Sequence, residues 1–301
     1  MCRWLAYHGP NVRIADVLLD PEHSLIDQSK DARQSQFTVN GDGVGLGWFD
    51  GIDPEPGLYR EARAAWHDEN LRSLAEHVRS GCFLAHVRAA TTGAVERDNA
   101  HPFRGGGWVF QHNGELGDWP ILRRAVESHI DARWYGLRSG ATDSEALFLL
   151  ALSMGLQEDP VGALVAAVDL VRAIREAHGV ERPLRVTAAV SNGTGLWCIR
   201  TAEAALAPSL FWASGDTLHV DRVHANDVDA LKLDSRATGL RTTRALCCVP
   251  MGGTLVVSEP LDSDGTAWRE VPPESVLSVD ASGVSVTLLD DVWHRNNRLG
   301  V

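Results

Sequence analysis

The spacing of apolar residues predicts two long helices in the middle of the chain. Apolar positions recur with a helical period from Trp119 to His129 and again from Pro160 to His178. Asp159 precedes the second run as the expected N-cap, proline takes its first helical position, and Gly179 is expected to end it.

A further helix is expected to begin at Thr142-Asp143-Ser144-Glu145, which precedes a long apolar run. A Thr or Asp cap followed by Glu in the first turn is typical of a helix start, so Asp143 is predicted to lie at a helix N-terminus. Earlier in the chain, Asn11 to Leu19 has a helical pattern that ends at Asp20-Pro21, and Leu58 to Val78 is also predicted to be helical.

Short apolar runs between turn residues predict strands on both sides of these helices. Arg104-Gly105-Gly106-Gly107 is expected to form a hairpin turn. The predicted strands are Val44 to Phe49, Cys82 to Ala89, Trp108 to His112, Arg185 to Ser191, Gly195 to Thr201, Leu210 to Ala213, Ala245 to Val249, Thr254 to Ser258 and Val284 to Leu289. This order favours a mixed α and β unit in which helices cover two sheets.

The composition argues against several classes of protein. The chain of 301 residues has 40 acidic and 28 basic residues and a formal net charge of -12. That charge repels phosphate backbones and anionic lipid, so we expect no nucleic-acid and no membrane partner. The apolar stretches are shorter than the roughly eighteen residues that span a bilayer, and the N-terminus lacks the pattern of a secretory signal. We therefore expect a cytoplasmic protein.

The five cysteines do not form the pattern of a disulfide framework or a zinc site. No Cys-x-x-Cys occurs, and adjacent Cys247 and Cys248 would point to opposite faces of a strand, so we expect no metal. Together with Cys82 and Cys198, these two are expected to be small buried hydrophobic residues. Cys2 differs because it directly follows the initiator methionine.

Removal of Met1 would place the α-amine of Cys2 beside its own thiol. An α-amine has a pKa of about 7.7 to 8.0 and a cysteine thiol one of about 8.5, so the amine could act as a base for the thiol near neutral pH. One residue would then supply both nucleophile and base. A cysteine at position two also occurs by chance, so the hypothesis needs support from other segments.

Three other segments carry suitable chemistry. Arg88 ends an apolar strand, where its guanidinium could bind a carboxylate, although a surface arginine at a strand end is the simpler interpretation. The side-chain amide of Asn113 and the backbone N–H of Gly114 are the two donors that an oxyanion hole needs, but Asn-Gly is also a common turn. Asp143 could accept a hydrogen bond from a substrate ammonium group or serve only as a helix cap.

Taken in this order, the residues resemble the glutaminase domain of the class II glutamine amidotransferases, an N-terminal-nucleophile hydrolase family. The chain also resembles the stand-alone branch of that family, which includes the hydrolase of ergothioneine biosynthesis. This second resemblance rests on Ser258-Glu259-Pro260-Leu261, Trp268 and Val271-Pro272. The resemblance to the glutaminase domain rests on these segments: Met1-Cys2-Arg3, Asn40-Gly41-Asp42-Gly43, Gly45-Leu46-Gly47-Trp48, His86-Val87-Arg88-Ala89, Asn99-Ala100-His101-Pro102-Phe103, His112-Asn113-Gly114 and Thr142-Asp143-Ser144-Glu145.

The resemblance implies an α+β fold, namely a four-layer αββα sandwich of two antiparallel sheets. It also implies a single glutaminase-type domain over residues 2–290, with residues 291–301 as a C-terminal tail. No cofactor is expected. The segment after Arg88 differs from the Trp-Ala-Thr-His of the sugar-phosphate-aminating members, since it reads Ala89-Ala90-Thr91-Thr92. The active site is therefore expected to differ in shape near the leaving group of the substrate.

The resemblance assigns Cys2 as the nucleophile and Asn113 with Gly114 as the groups that stabilise the oxyanion. Arg88 is then expected to hold the α-carboxylate of a glutamyl group and Asp143 its α-ammonium. Thr91 is a weaker candidate for binding the same carboxylate. Three other motif residues are interpreted as structural supports: Trp48, His101 and Glu115.

The expected function is hydrolysis of a small-molecule γ-glutamyl amide through a thioester on Cys2, with release of glutamate. One alternative is a glutaminase subunit that feeds ammonia to a separate synthase partner, and another is a non-catalytic protein that binds a glutamyl ligand. An ordinary cysteine hydrolase that pairs Cys2 with a histidine has no ordered motif to support it. The sequence leaves open whether the chain forms a homo-oligomer.

Overall fold

Two sheets lie face to face at the centre of the molecule. The structure, a computed structural model, describes residues 2–34, 38–90, 93–203, 207–215, 249–262 and 266–292. Within these ranges the strands are β1 (Arg3–Arg13), β2 (Val44–Phe49), β3 (Gly57–Glu61), β4 (Arg79–Val87), β5 (Phe103–Gly105), β6 (Trp108–Glu115), β7 (Arg185–Ser191), β8 (Leu196–Ala202), β9 (Phe211–Ser214), β10 (Thr254–Val257), β11 (Arg269–Glu270), β12 (Ser275–Asp280) and β13 (Gly283–Leu288).

Helices cover the outer face of each sheet. The described α-helices are α1 (Ile14–Leu18), α2 (Leu25–Lys30), α3 (Glu69–His77), α4 (Trp119–Glu127), α5 (Ala132–Tyr135), α6 (Asp143–Ser153) and α7 (Pro160–Ala177). Buried residues of α1, α2 and α3 pack on the first sheet, and those of α4 to α7 pack on the second. The predicted four-layer α+β sandwich is therefore confirmed.

The strand order places β1 inside the first sheet. That sheet runs β11-β9-β10-β1-β4-β2-β3 and the second runs β13-β12-β8-β7-β6-β5, with antiparallel pairing between neighbours. In the β1–β4 pair, Arg3 lies opposite Val87 and Trp4 opposite His86. If the same register is extended by one residue beyond the Arg3–Val87 pair, Cys2 lies opposite Arg88.

Three layers of apolar side chains hold the sandwich together. The middle layer lies between the sheets and contains Trp4 and Ala6 of β1 together with Val109 of β6. Because successive strand residues point to opposite faces, Leu5 and Tyr7 instead pack against the helices of the first sheet. Cys82 and Cys198 are free and buried in the middle layer, as predicted, whereas Cys247 and Cys248 lie outside the described residues.

Most of the predicted elements are confirmed. In α7, Asp159 caps the helix by accepting a hydrogen bond from the backbone N–H of Gly162, and Gly179 follows the helix with φ +63°. The predicted strands from residue 44 to 213 all occur, with ends shifted by up to a few residues. The predicted strand at residues 245–249 falls almost entirely outside the described residues. Val292, in the expected tail, is buried in the core beneath α4 to α7.

Two predicted helices begin too early. Residues 11–13 belong to β1, since Arg13 pairs with Arg79, and α1 begins only at Ile14. The stretch predicted as a helix from Leu58 starts as strand β3, with Tyr59 paired to Leu46. In both places the pairing with a neighbouring strand overrides the local helical pattern.

Gly45 of β2 lies against the backbone that precedes β5. An added Cβ would overlap the backbone oxygen of His101 and stand 2.9 Å from that of Tyr59 on β3. We expect Gly45→Ala to lower the free energy of unfolding by about 3 kcal/mol, because backbone atoms on both sides must shift. Urea denaturation measures this change. Gly136→Ala is the matched control, since its Cβ would meet nothing closer than 3.8 Å; equal stability of the two variants would contradict the prediction.

Candidate active site

Cys2 lies directly before β1, half-buried and against the backbone that follows β4. Its Sγ is 3.4 Å from the backbone nitrogen of Ala89, which donates to it, and 3.5 Å from the backbone oxygen of the same residue. Burial raises the pKa of the Cys2 thiol, while the Ala89 N–H and the positive charges of Arg88 and Arg3 act in the opposite direction. Because the pKa remains raised, this thiol needs a base in order to react near neutral pH.

Arg88 is the first residue after β4 and is buried beside Cys2. Its Nη1 donates to the backbone oxygen of Ala94 at 2.9 Å. Burial lowers the pKa of Arg88, while negative charge at Cys2, Asp42 and Asp143 raises it. The guanidinium therefore interacts electrostatically with Cys2 and with the Asp143 carboxylate.

The turn before β2 fixes the backbone around Arg88. The backbone nitrogen of Asp42 donates to the oxygen of Arg88 at 2.9 Å, and the Arg88 nitrogen donates to the oxygen of Gly43 at 2.8 Å. The Asp42 carboxylate also accepts from the backbone N–H of Ala90 at 2.8 Å. No role for Asp42 is predicted from the sequence, although its place in the glycine-rich turn is a signal that could have indicated one.

Asn113 projects from β6 towards the first sheet. Gln111, two residues earlier on the same face, donates through Nε2 to the backbone oxygen of Leu5 at 2.9 Å, which shows that this face meets β1. The Asn113 side chain is 1% exposed, and neither its Nδ2 nor its Oδ1 has a hydrogen-bond partner in the described part of the chain. A buried amide without partners is rare in proteins and is available to a ligand.

Gly114 occupies a position that no other residue could take without strain. Its φ is +146°, and an added Cβ would overlap the backbone oxygen of Arg185 on β7. Glycine thus allows β6 to keep its pairing with β7 up to the end of the strand.

Asp143 is the first residue of α6, as predicted, and Thr142 is its N-cap. The Thr142 hydroxyl accepts a hydrogen bond from the backbone N–H of Glu145 at 3.2 Å. The Asp143 carboxylate accepts from the backbone N–H groups of Leu116 at 3.1 Å and Ser144 at 2.9 Å. It is therefore tied to the chain that follows Asn113 and Gly114. Thr91, the remaining predicted site residue, lies outside the described residues.

Three buried histidines, His86, His101 and His112, lie beside these residues. His86 stacks on His101 with ring centroids 4.2 Å apart, and its Nε2 is 3.3 Å from the backbone oxygen of His112. Burial lowers the pKa of His86 to about 3, and it also lowers the pKa of His101 and His112 below the usual value. All three are therefore neutral near pH 7. His86 and His101 contact each other between the sheets, whereas the His112 ring lies 2.8 Å from the Ser144 hydroxyl of α6 through Nδ1. Within the described ranges, no group of three or more His, Cys, Asp or Glu is placed to hold a metal ion.

The three residues interpreted as supports have structural contacts. Glu115 forms ion pairs with Arg182, at 2.6 Å, and Arg185. His101 packs against His86 as described above, and Trp48 packs on the apolar layer beneath α1 to α3.

The structure thus gathers predicted residues from four separate segments at one end of the inter-sheet layer. Cys2 and Arg88 flank the ends of two adjacent strands of the first sheet, and Asn113 and Gly114 lie near the end of β6 in the second. The hydrogen bond from His86 to the backbone of His112 joins these strands one or two residues before Arg88 and Asn113. Asp143 is attached to the same region through Leu116.

The family follows from comparison with known sequences. Residues 15–296 match the family model described as class-II glutamine amidotransferases. The chain belongs to this family. The resemblance noted in the sequence is therefore confirmed, and the protein is an enzyme of the class II amidotransferase type.

Curated relatives align with this amidotransferase over nearly its whole length. The probable glutamine amidotransferase DUG3 of Saccharomyces cerevisiae is 28% identical over 99% of this chain and 87% of its own length. The γ-glutamyl-hercynylcysteine sulfoxide hydrolase of Mycobacterium tuberculosis strain CDC 1551 is 31% identical over 96% of this chain and 97% of its own length.

Solved structures confirm the fold of this amidotransferase. A glutamine aminotransferase class-II domain protein from Silicibacter pomeroyi is 33% identical and superposes with a TM-score of 0.65 over 95% of this chain and 98% of its own. The glutamine phosphoribosylpyrophosphate amidotransferase of B. subtilis shares the fold at 15% identity, with a TM-score of 0.57, over 95% of this chain and 49% of its own. Each helix that the structure describes is too short or too polar to pass through a lipid bilayer.

Proposed function

We propose that this enzyme hydrolyses γ-glutamyl amides with Cys2 as the nucleophile. The observation that carries the proposal is the buried, unpartnered amide of Asn113 on the strand face that meets β1. Burying a polar group without a partner costs about 1–3 kcal/mol. That cost is offset when the amide donates to an oxyanion that forms only during the reaction.

The charges around Cys2 suit a glutamyl group. Arg88 offers a guanidinium to the α-carboxylate, and Asp143 offers a carboxylate to the α-ammonium. The negative charge of Asp143 contributes to raising the pKa of Arg88, against the larger effect of burial, so the two groups interact electrostatically. The γ-carbonyl would then lie between the Cys2 thiol and the Asn113 amide.

The reaction proceeds in two stages that balance in atoms and charge. The Cys2 α-amine takes the thiol proton, the sulfur attacks the γ-carbonyl carbon, and Asn113 with the Gly114 N–H stabilises the oxyanion. The tetrahedral intermediate expels the amine, which receives the proton, and a γ-glutamyl thioester remains on Cys2. Water then loses a proton to the α-amine and attacks the thioester, so that glutamate leaves and the thiol is restored.

This mechanism requires removal of Met1, because an acylated amine is not a base. The raised pKa of the Cys2 thiol makes the requirement stricter, since little thiolate would form without the amine. The enzyme is therefore proposed to act only as the processed chain.

The amine product distinguishes two versions of the proposal. A relative of similar length is named a γ-glutamyl-hercynylcysteine sulfoxide hydrolase, which supports an enzyme that releases a substituted amine. Another relative is named a probable glutamine amidotransferase, which supports glutamine as the substrate and ammonia as the product. We favour the hydrolase because Ser258-Glu259-Pro260-Leu261 resembles the stand-alone branch.

The test is a substrate panel assayed with protein whose intact mass shows the loss of Met1. Glutamine, γ-glutamyl dipeptides and γ-glutamyl arylamides should release glutamate, and the hydrolase version predicts a higher kcat/KM for the larger amides. Glutamine with an acetylated α-amine or an amidated α-carboxylate should react at least about tenfold more slowly, because each loses one charge-assisted hydrogen bond.

The results of this substrate panel distinguish the hydrolase from the glutaminase version of the proposal. Preference for glutamine with rapid ammonia release would favour the partner-fed glutaminase. Absence of glutamate release from every compound by the processed protein would overturn the proposal and favour a non-catalytic glutamyl-binding protein. Equal rates for the modified glutamines would contradict the roles of Arg88 and Asp143.

A further inference from the structure

A buried polar cluster lies behind the nucleophile, on the face of β1 opposite to Cys2. Its members, which we call the Glu259 cluster, are Arg3, His23, Gln28, Ser258 and Glu259, and each is at most 4% exposed. Since neighbouring residues of a strand point to opposite faces, Arg3 faces the layer of α1 to α3 while Cys2 faces the second sheet. The proposed reaction gives none of these side chains a role.

Arg3 is held by the segment that follows β10. Its Nη1 donates to the backbone oxygen of Ser258 at 3.3 Å and lies 3.8 Å from the Glu259 carboxylate. In the described part of the chain, Glu259 is the carboxylate within ion-pair distance of Arg3, and the Nε and Nη2 atoms of Arg3 have no hydrogen-bond partner. The guanidinium therefore depends on residues 258 and 259 for its position.

Glu259 is itself fixed from several directions. Its carboxylate lies 2.5 Å from Nε2 of His23 and accepts from the backbone N–H groups of Arg33 and Gln34, each at 2.9 Å. Gln28 donates through Nε2 to the backbone oxygens of His23 and Glu259. Burial raises the pKa of Glu259, but the hydrogen bonds from His23, Arg33 and Gln34 outweigh it and leave the pKa below its usual value. Glu259 is therefore a charged, rigid anchor near neutral pH.

The same segment clamps the backbone of β1 next to Cys2. The backbone N–H of Trp4 donates to Oγ of Ser258 at 2.9 Å, and the Ser258 N–H donates to the oxygen of Trp4 at 3.0 Å. Cys2 lies two residues before Trp4 and one before Arg3, so these contacts set the direction in which the chain reaches the nucleophile. On the other side, β4 pairs with β1 up to Arg3.

We infer that Glu259 is a positioning residue for Cys2, acting through Arg3. It holds the Arg3 side chain behind the sheet, and Arg3 in turn fixes the end of β1 so that the thiol and the α-amine face the γ-carbonyl. The inference rests on the proposed function of Cys2. A misplacement of about 1 Å at a reacting group can cost about a hundredfold in rate.

The test compares Glu259→Gln with wild type in kcat, in KM and in the rate at which iodoacetamide alkylates Cys2, followed by peptide mass mapping. We expect kcat and the alkylation rate to fall roughly tenfold to a hundredfold while KM changes less than about twofold, because substrate-binding groups are untouched. In an Arg3→Met background, Glu259→Gln should add less than about a twofold loss, because the two residues act as one unit.

Glu203→Gln is the matched control. It removes a carboxylate that ion-pairs with the buried Arg175 and accepts from the backbone N–H of Leu184, without a contact to β1. It should keep kcat and the alkylation rate. If Glu259→Gln does not fold, Arg3→Lys replaces it, since lysine keeps the charge but cannot reproduce the guanidinium contacts, and the same fall in kcat is expected.

An unchanged kcat and alkylation rate in a folded Glu259→Gln or Arg3→Lys protein would overturn the inference. A rise in KM without a fall in kcat would also overturn it. So would an Arg3→Met/Glu259→Gln double variant whose loss in kcat equals the product of the two single losses. If the wild-type protein has no γ-glutamyl activity, the proposed function fails, yet the alkylation of Cys2 still tests the positioning role separately.

Discussion

Replacing Cys2 with alanine should reduce γ-glutamyl amide hydrolysis by about 10⁴- to 10⁶-fold, the loss that follows removal of a covalent nucleophile. The fold should persist, because Cys2 is half-buried and, among the residues that the structure describes, its hydrogen bonds are with the backbone of Ala89. The measurement is steady-state release of glutamate, combined with the intact mass of acid-quenched enzyme. Wild type should carry a species one glutamyl residue heavier than the free enzyme, and the variant should carry none.

Cys198→Ala is the control for this experiment. Cys198 is a free thiol buried between the sheets, where burial raises its pKa well above the usual value. Its replacement should leave both the activity and the glutamyl adduct in place. Retained activity in Cys2→Ala, or an adduct that maps to another cysteine, would remove Cys2 from the mechanism.

Asn113→Ala should lower kcat by about 10²- to 10³-fold with little change in KM, because the amide is proposed to act on the oxyanion and not on the bound substrate. Removing a hydrogen-bonded buried amide normally destabilises the fold, whereas Asn113→Ala should not. Both polar atoms of Asn113 lack a partner among the described residues, so their removal should leave the midpoint of thermal unfolding unchanged or higher.

Gln111→Ala provides the comparison on the same strand face. The Gln111 amide donates to the backbone oxygen of Leu5, so its removal leaves that buried oxygen without this donor and should lower the free energy of unfolding by about 1–3 kcal/mol. Calorimetry of both variants checks the contrast. A stability loss in Asn113→Ala as large as in Gln111→Ala, with kcat retained, would assign Asn113 a structural role only.

The sequence predicted the layers of the fold because most elements follow a clear period or a clear cap. α7 illustrates this, since Asp159, the proline after it and Gly179 mark both of its ends. β1 was missed because Trp4, Leu5, Ala6 and Tyr7 are all fully buried, which removes the alternation that identifies a strand. The strand is interior to a sheet that is itself covered on both faces, so polar positions do not mark it.

The site was predictable only as far as its residues lie in short motifs. Asn113-Gly114 and the start of α6 at Asp143 could be located from neighbouring residues alone. The contacts of Glu259 with His23 and Arg3 join positions more than two hundred residues apart in sequence, so no local sequence pattern predicts them. The unpartnered amide of Asn113 likewise emerged only from the packing of one sheet on the other.

The position of β1 also bears on how the enzyme is made. Its two neighbours in the sheet are β4, which is translated soon after it, and β10, which begins at Thr254 and is translated near the end of synthesis. Because chains emerge from the ribosome N-terminus first, the start of β1 remains unpaired along one edge for most of synthesis. Under the proposed mechanism, the N-terminus before Cys2 can therefore be processed while the start of β1 still lacks its contacts with β10 and Ser258.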